Sequence, residues 1–260
     1  MLVGALLATS TGLQAASTFL DAVSNNVANA STPGFKTGQV TFQDLLSIGT
    51  KPGATATQGT TAPGGTQVGS GAIVDSVTGL FTQGGLEQTG RQLDFAIDGQ
   101  GFFEVTRPDG STGYTRAGNF NVDASGKLVT SEGFQLAGGI TIPANASSVS
   151  VSSDGTVTAT TPAGTRPIGN LTLTRFQNPA GLTRIGSTTF AADPASGAAT
   201  TGAPGANGTG AIVQGSLEQS NVDLTSELVN LIVAQRAFQF NTRALQVENE
   251  TLQATTALIS

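Results

Sequence analysis

The 260-residue chain has neither histidine nor cysteine, so it lacks the commonest general base, the thiol nucleophile and the usual transition-metal ligands. Chemistry would fall to carboxylates, hydroxyls, one tyrosine and the lysines Lys36, Lys51 and Lys127. Asp94, Asp98 and Glu104 crowd one short stretch and could in principle supply the acid and base of a glycosidic cleavage. The same residues serve equally as turn caps and exposed strand positions. Gly99-Gln100-Gly101 suggests a phosphate loop, but no third glycine follows, and Phe102, Phe103 and Val105 continue as a strand rather than a helix. A net charge of −6 argues against a nucleic-acid partner. Neither a cofactor nor a metal is expected.

The elements that would position such groups are clearest at the two ends. Leu6, Leu13, Leu20 and Val27 recur every seventh residue, beside a second row of Leu2, Thr9, Ala16, Val23 and Ala30. This is the pattern of a helix with a narrow coiled-coil-like seam, or equally of one packed on its own domain's core. It is expected to stop near Ser31-Thr32-Pro33-Gly34, where proline lacks an amide and glycine tolerates turn dihedrals. At the other end Leu224, Leu231, Phe238, Leu245, Leu252 and Ile259 repeat the spacing, beside a weaker row of Leu228, Gln235, Thr242 and Asn249. Asn221 and Asp223 offer N-cap oxygens and Glu227 lies in the first turn, so this helix should begin within a residue or two of Asp223. Asn25, Asn26 and Asn29 either cap the turn at Pro33 or bond between subunits. Gln235 and Arg236 are either solvated or part of the same interface.

Between the helices the period shortens to that of strands, with Asp109-Gly110, Ser125-Gly126 and Glu132-Gly133 suited to hairpin turns. Two Gly/Thr/Ala-rich stretches, 49–71 and 191–210, read as flexible linkers or extended arms. The expected class is therefore α+β: terminal α-helices forming a coiled-coil-like pair, an inserted all-β domain, and extended Gly/Thr-rich arms. The boundaries expected are 1–45 for the N-terminal helix and turn, 46–74 for an arm, 75–215 for the β-rich domain and 216–260 for the C-terminal helix. Residues 1–16 have no basic segment before their apolar run, so no cleaved signal is expected, and no stretch reaches the ~20 apolar residues of a membrane span.

Thr11-Gly12-Leu13 and the run Asn25-Asn26-Val27-Ala28-Asn29-Ala30-Ser31-Thr32-Pro33-Gly34-Phe35-Lys36 resemble the N-terminal signature of flagellar rod and hook proteins. Ser220-Asn221-Val222-Asp223-Leu224, Glu227-Leu228-Val229 and Gln235-Arg236-Ala237-Phe238 resemble the C-terminal one. Residues 84–105 and 114–130 resemble the family's β domain, and Phe42-Gln43-Asp44-Leu45-Leu46 with the arm after it is most similar to the distal rod class. The resemblance implies a non-enzymatic subunit of a hollow helical tube that transmits torque, exported by the flagellar type III apparatus without a cleaved signal. It implies a periplasm-spanning basal-body rod, with further copies, proximal rod proteins, the hook protein and the P- and L-ring proteins as partners, and no small-molecule substrate. The two heptad ends, the asparagines, Gln235, Arg236 and Phe35 are the expected assembly interface. A proximal rod or hook-type subunit, a carboxylate-dependent wall hydrolase and an adhesin are the competing expectations.

Overall fold

The computed structural model describes residues 2–45, 48–49 and 67–259. Helix α1 (Leu2–Ala28) and helix α2 (Leu224–Ile259) stand at the ends, and the other elements described are strands and two short 3-10 turns. After α1 the chain closes a turn in which Thr32 N donates to Asn29 O at 3.0 Å and Phe35 N to Thr32 O at 3.2 Å. α2 starts directly after Asp223, as the capping residues led one to expect.

The chain forms two compact units. The first comprises Met1–Val27, Gly38–Thr78 and Leu224–Ser260, the second Ala28–Thr37 and Gly79–Asp223. In the first, strand Gly38–Asp44 pairs with strand Ala72–Gly79, and Phe42 meets Phe19 of α1 edge to face at 5.8 Å. Strands thus occur on both sides of the expected arm. Ile48–Gly49 also pairs antiparallel with Gln67–Val68, which ties the arm's two ends together. Positions 50–66, the bulk of that arm, lie outside the described residues.

The second unit is built around strand Phe102–Thr106, which pairs with Thr112–Thr115, Gln135–Leu136 and Leu173–Arg175. Successive strand residues point to opposite faces. Phe103 and Val105 therefore enter one buried cluster with Phe95, Phe120, Val157 and Leu173, while Phe102 enters another with Tyr114, Phe176 and Phe190. All three expected hairpins form, about Gly110, Gly126 and Gly133. Asp109 fixes the first, its Oδ1 accepting from Ser111 N at 2.9 Å, with Gly110 at φ 81°.

Residues 191–210, expected from composition to be a linker or arm, instead fold into this second unit. Thr200–Gly202 pairs with Leu173–Arg175. Asp193 and Ser196 form a reciprocal capping box around Pro194–Ser196, and Thr209 Oγ1 donates within its own loop. Composition missed this because short side chains here make local bonds to the backbone, which order a chain without hydrocarbon burial.

Candidate assembly surfaces and a buried ion cluster

In the first unit the helices run antiparallel, and the row of α2 facing α1 is Glu227, Ala234, Asn241 and Glu248, spaced by seven. Asn26 Nδ2 donates to Glu227 Oε1 at 3.0 Å and to Gly38 O at 2.9 Å, and its Oδ1 accepts from Gly38 N at 2.8 Å. A Cβ on Gly12 would come within 3.2 Å of the Asn241 side chain, and Thr9 Oγ1 lies 3.2 Å from Glu248 Oε1. Ala15, Ala16 and Val23 of α1 and Ala234 of α2 are buried. Small side chains let the helices approach, and polar groups fix their register. The Oε2 atoms of Glu227 and Glu248 are buried with no hydrogen-bond partner among the described residues, an arrangement that costs rather than contributes stability.

α2 leaves much hydrocarbon in solvent. Leu224, Leu228, Val229, Ile232, Val233, Phe238, Phe240 and Val247 are all exposed, Phe240 at 66%. A helix apolar on several sides is one that other helices surround.

In the second unit three charged residues far apart in sequence meet in the interior. Lys36, Glu218 and Arg116 are 0%, 1% and 5% exposed. Lys36 Nζ donates to Glu218 Oε1 at 2.5 Å and to Thr82 O at 2.8 Å. Arg116 Nη1 donates to Glu218 Oε2 at 3.2 Å, Arg116 Nη2 to Gly99 O at 2.7 Å, and Gly84 N to Glu218 Oε1 at 3.0 Å. Burial pulls both the Lys36 ammonium and the Arg116 guanidinium below their usual pKa, with Glu218 opposing the shift. Gly34 N donates to Glu218 O at 2.8 Å. Gly34 is obligatory there, with φ 71° and a hypothetical Cβ only 2.3 Å from Ala117 N.

The surrounding backbone gathers the two signature segments. Strand Leu86–Gln88 pairs antiparallel with Ser216–Glu218, so two Leu-Glu-Gln runs, 86–88 and 217–219, lie side by side. Asn221 Oδ1 accepts from Thr37 N at 2.8 Å while its Nδ2 donates to Leu80 O at 2.7 Å. Arg184 stacks over Phe35 at 4.7 Å and Phe190 at 5.2 Å.

Three family models match the chain. One described as flagella basal body rod protein covers residues 6–36, one described as flagellar hook protein FlgE/F/G D1 domain covers 96–159, and one described as flagellar basal body rod FlgEFG protein C-terminal covers 213–258. The flagellar basal-body rod protein FlgG of Caulobacter vibrioides is 40% identical over 98% of this chain and 99% of its own length. That of Bacillus subtilis is 40% identical over 93% and 94%. The chain belongs to the flagellar basal-body rod family. The flagellar hook protein FlgE of Escherichia coli is 39% identical over 49% of this chain and 27% of its own.

In this rod-family chain the ion cluster draws one residue from each matched segment: Lys36 from 6–36, Arg116 from 96–159 and Glu218 from 213–258. Sequence reasoning did not find the cluster. The signals it could have used were the doubled Leu-Glu-Gln run and a lysine beside buried Phe35 in a chain only 11% charged.

The residues expected to form an interface divide three ways. Leu6, Leu13, Leu20, Val27, Leu231, Leu245 and Leu252 are half-buried, while Leu224, Leu228, Gln235, Arg236, Phe238 and Asn25 are exposed; Asn29 is half-buried beside Thr32. Asn26 was expected to cap the turn or bond between subunits, but its amide is satisfied within the chain by Gly38 and Glu227. Phe35 is 1% exposed beneath Arg184 and offers no surface to a neighbour. The row that does face α1 went unrecognised because Glu, Ala, Asn and Glu carry no apolar signal. Of the stretch weighed for chemistry, Asp94 pairs with Arg91 at 2.6 Å, Asp98 Oδ1 accepts from Gln83 and Glu104 Oε2 accepts from Thr174. Among the described residues no group of three or more carboxylates could hold a metal.

Proposed function

We propose that the chain is a structural subunit of the flagellar distal rod, polymerising through its terminal helices into a hollow helical shaft that carries torque from motor to hook. The observation that carries this reading, beside family membership, is the exposed hydrocarbon of α2. One partner helix with a polar, small-residue seam leaves Leu224, Leu228, Ile232, Phe238 and Phe240 uncovered, and only further helices would bury them. Proximal rod proteins, the hook protein and the P- and L-ring proteins are its proposed neighbours. The proposed place is the periplasm-spanning rod, reached by type III export without a cleaved signal, and no catalytic role is assigned.

Leu13→Asp and Leu231→Asp test it. Each would bury an unpaired charge in the assembled tube, at a cost of several kcal/mol. Both variants should secrete normally yet fail to extend rods, and normal motility in both would overturn the assembly role. Gene deletion should leave basal bodies that stop below the hook; a stop at the base of the rod would place the subunit in the proximal section instead.

A further inference from the structure

α2 carries a second stripe with a spacing of its own. Val229, Val233, Arg236, Phe240, Arg243 and Val247 follow one another at steps of four and three, which puts them on one face of the helix. All six are exposed, and the stripe is separate from the row Glu227, Ala234, Asn241 and Glu248 that meets α1. From Val229 to Val247 its charges are both positive, and the next step of three brings Glu250, also exposed, to the end of the same face. Arg236 and Arg243 make no salt bridge among the described residues, whereas Glu227 and Glu248 are turned toward α1.

The outward face of α1 has the opposite character. Asp21 is the only charged residue of that helix; it is exposed and likewise without a salt bridge among the described residues. Its neighbours are Ser17, Thr18, Ser24 and Asn25 one turn away and Gln14 and Ala28 two turns away, small or polar residues that are exposed or half-buried. One face thus offers Phe240 and branched side chains beside two cations, the other a surface of small and polar residues around one anion.

We propose that these two faces meet between copies: the Arg236/Arg243 stripe of α2 in one subunit docks on the outward face of α1 in a second copy, with Asp21 held between the two arginines and Phe240 seated among the small residues. This rests on the polymerising role proposed above. Charge complementarity chooses the occupant, because an α2–α2 contact centred on Phe240 would oppose arginine to arginine, whereas Asp21 meets both. The contact sets which neighbour a subunit accepts, while the shared apolar area supplies the adhesion.

A charge-swap series in the full chain is the test, read as the mass of pelleted polymer at fixed protein concentration. Asp21→Arg alone, and Arg236→Glu with Arg243→Glu, should each cut polymer by about tenfold or more, since like charges then oppose one another. The three changes together should recover polymer to within about threefold of the parent chain, as expected of sites coupled by direct contact. Because the chain has no cysteine, mixing chains bearing Asp21→Cys with chains bearing Arg243→Cys gives a second readout, and oxidised polymer should yield disulfide-linked mixed dimers. Undiminished polymer from Asp21→Arg, or a triple variant no better than its parents and no mixed dimer, would overturn the pairing while leaving polymerisation intact. Failure of the unaltered chain to polymerise under any condition would instead bring down both the pairing and the reading beneath it.

Discussion

Glu218→Leu is the substitution for which the structure gives the most definite energy. The Glu218 carboxylate receives Lys36 Nζ and Gly84 N on one oxygen and Arg116 on the other, inside a site where Lys36 is 0% and Arg116 5% exposed. Its removal leaves two buried cations without a counter-charge, and losing one member of a buried pair costs about 3–5 kcal/mol. For a domain of this size each kcal/mol lowers Tm by roughly 2–4 °C, so a drop on the order of 10 °C is expected. Lys36→Met should cost less, because Glu218 keeps Arg116. Replacing all three by Met, Met and Leu should recover most of the loss, since buried ion clusters exchange for hydrocarbon at little net cost. The assay is built into the chain. Tyr114 is its one tyrosine and there is no tryptophan, and its ring is buried against Phe176 at 4.8 Å. Tyrosine fluorescence during heating therefore follows the second unit and is blind to the helices. A Tm for Glu218→Leu within about 2 °C of the parent chain, less than one kcal/mol on that scale, would refute the reasoning.

Gly34→Ala should lower the same tyrosine-monitored transition by several degrees, because an alanine at φ 71° would press its Cβ onto Ala117 N; an unchanged transition would mean that the turn relaxes freely. Asp109 and Asp154 have carboxyl pKa values below the ordinary 3.8, through bonds from Ser111 and Thr156 respectively. A depressed folded-state pKa contributes stability that is present above the unfolded value and lost as pH falls through the folded one. Asp109→Asn with Asp154→Asn should accordingly flatten the acid side of the stability profile below about pH 4, and an unaltered slope there would dismiss these turns as contributors. The terminal helices should add far-UV helical signal on polymerisation, with dilute monomer giving a protease-resistant fragment confined to the β-rich region; protease-resistant helices in the monomer would contradict this.

What could be read in the sequence was whatever has a short-range cause. The start of α2 at Leu224 lies where Asp223 and Glu227 led one to expect it, although Asn221, also offered as a cap, bonds to Thr37 and Leu80 instead; the hairpins follow from glycines beside polar residues, because turn chemistry acts over a few positions. Heptad spacing revealed both helices but missed the contact row of α2. On α1 the second row, with Thr9, Ala16 and Val23, lies on the buried side, but on α2 the contact falls on Glu227, Ala234, Asn241 and Glu248 rather than on the row from Leu224 to Leu252. Hydrophobic periodicity finds a seam only where hydrocarbon makes it. The stretch 191–210 was misjudged for the complementary reason, since hydroxyl and carboxylate bonds to backbone order it without an apolar signature. Lys36, Arg116 and Glu218 share no periodicity; the doubled Leu-Glu-Gln run marks Glu218 as unusual, but only the fold gives the proximity of the three.

The two kinds of contact divide the labour between the units. In the second unit Lys36 and Glu218 lie 182 positions apart, and Thr37 reaches Asn221 across 184, so closing it orders the ends of both signature segments together. Neither half can be satisfied alone, since a buried lysine without its glutamate is worse than no lysine. The cost of joining distant chain segments is thus met inside one subunit by the aromatic clusters around Phe103 and Tyr114, while the buried charges penalise any arrangement that leaves one of them unpaired. The helices are the reverse case. Their mutual seam is made mostly of small and polar residues, it leaves two carboxylate oxygens unsatisfied, and it leaves Leu224, Leu228, Val229, Ile232, Val233, Phe238, Phe240 and Val247 of α2 exposed. An area-proportional driving force of about 25 cal/mol per Å² therefore remains unspent in the single chain and becomes available when copies meet. A subunit arranged this way holds a closed β unit whatever its concentration, while the exposed hydrocarbon of its second helix is buried only when further copies cover it.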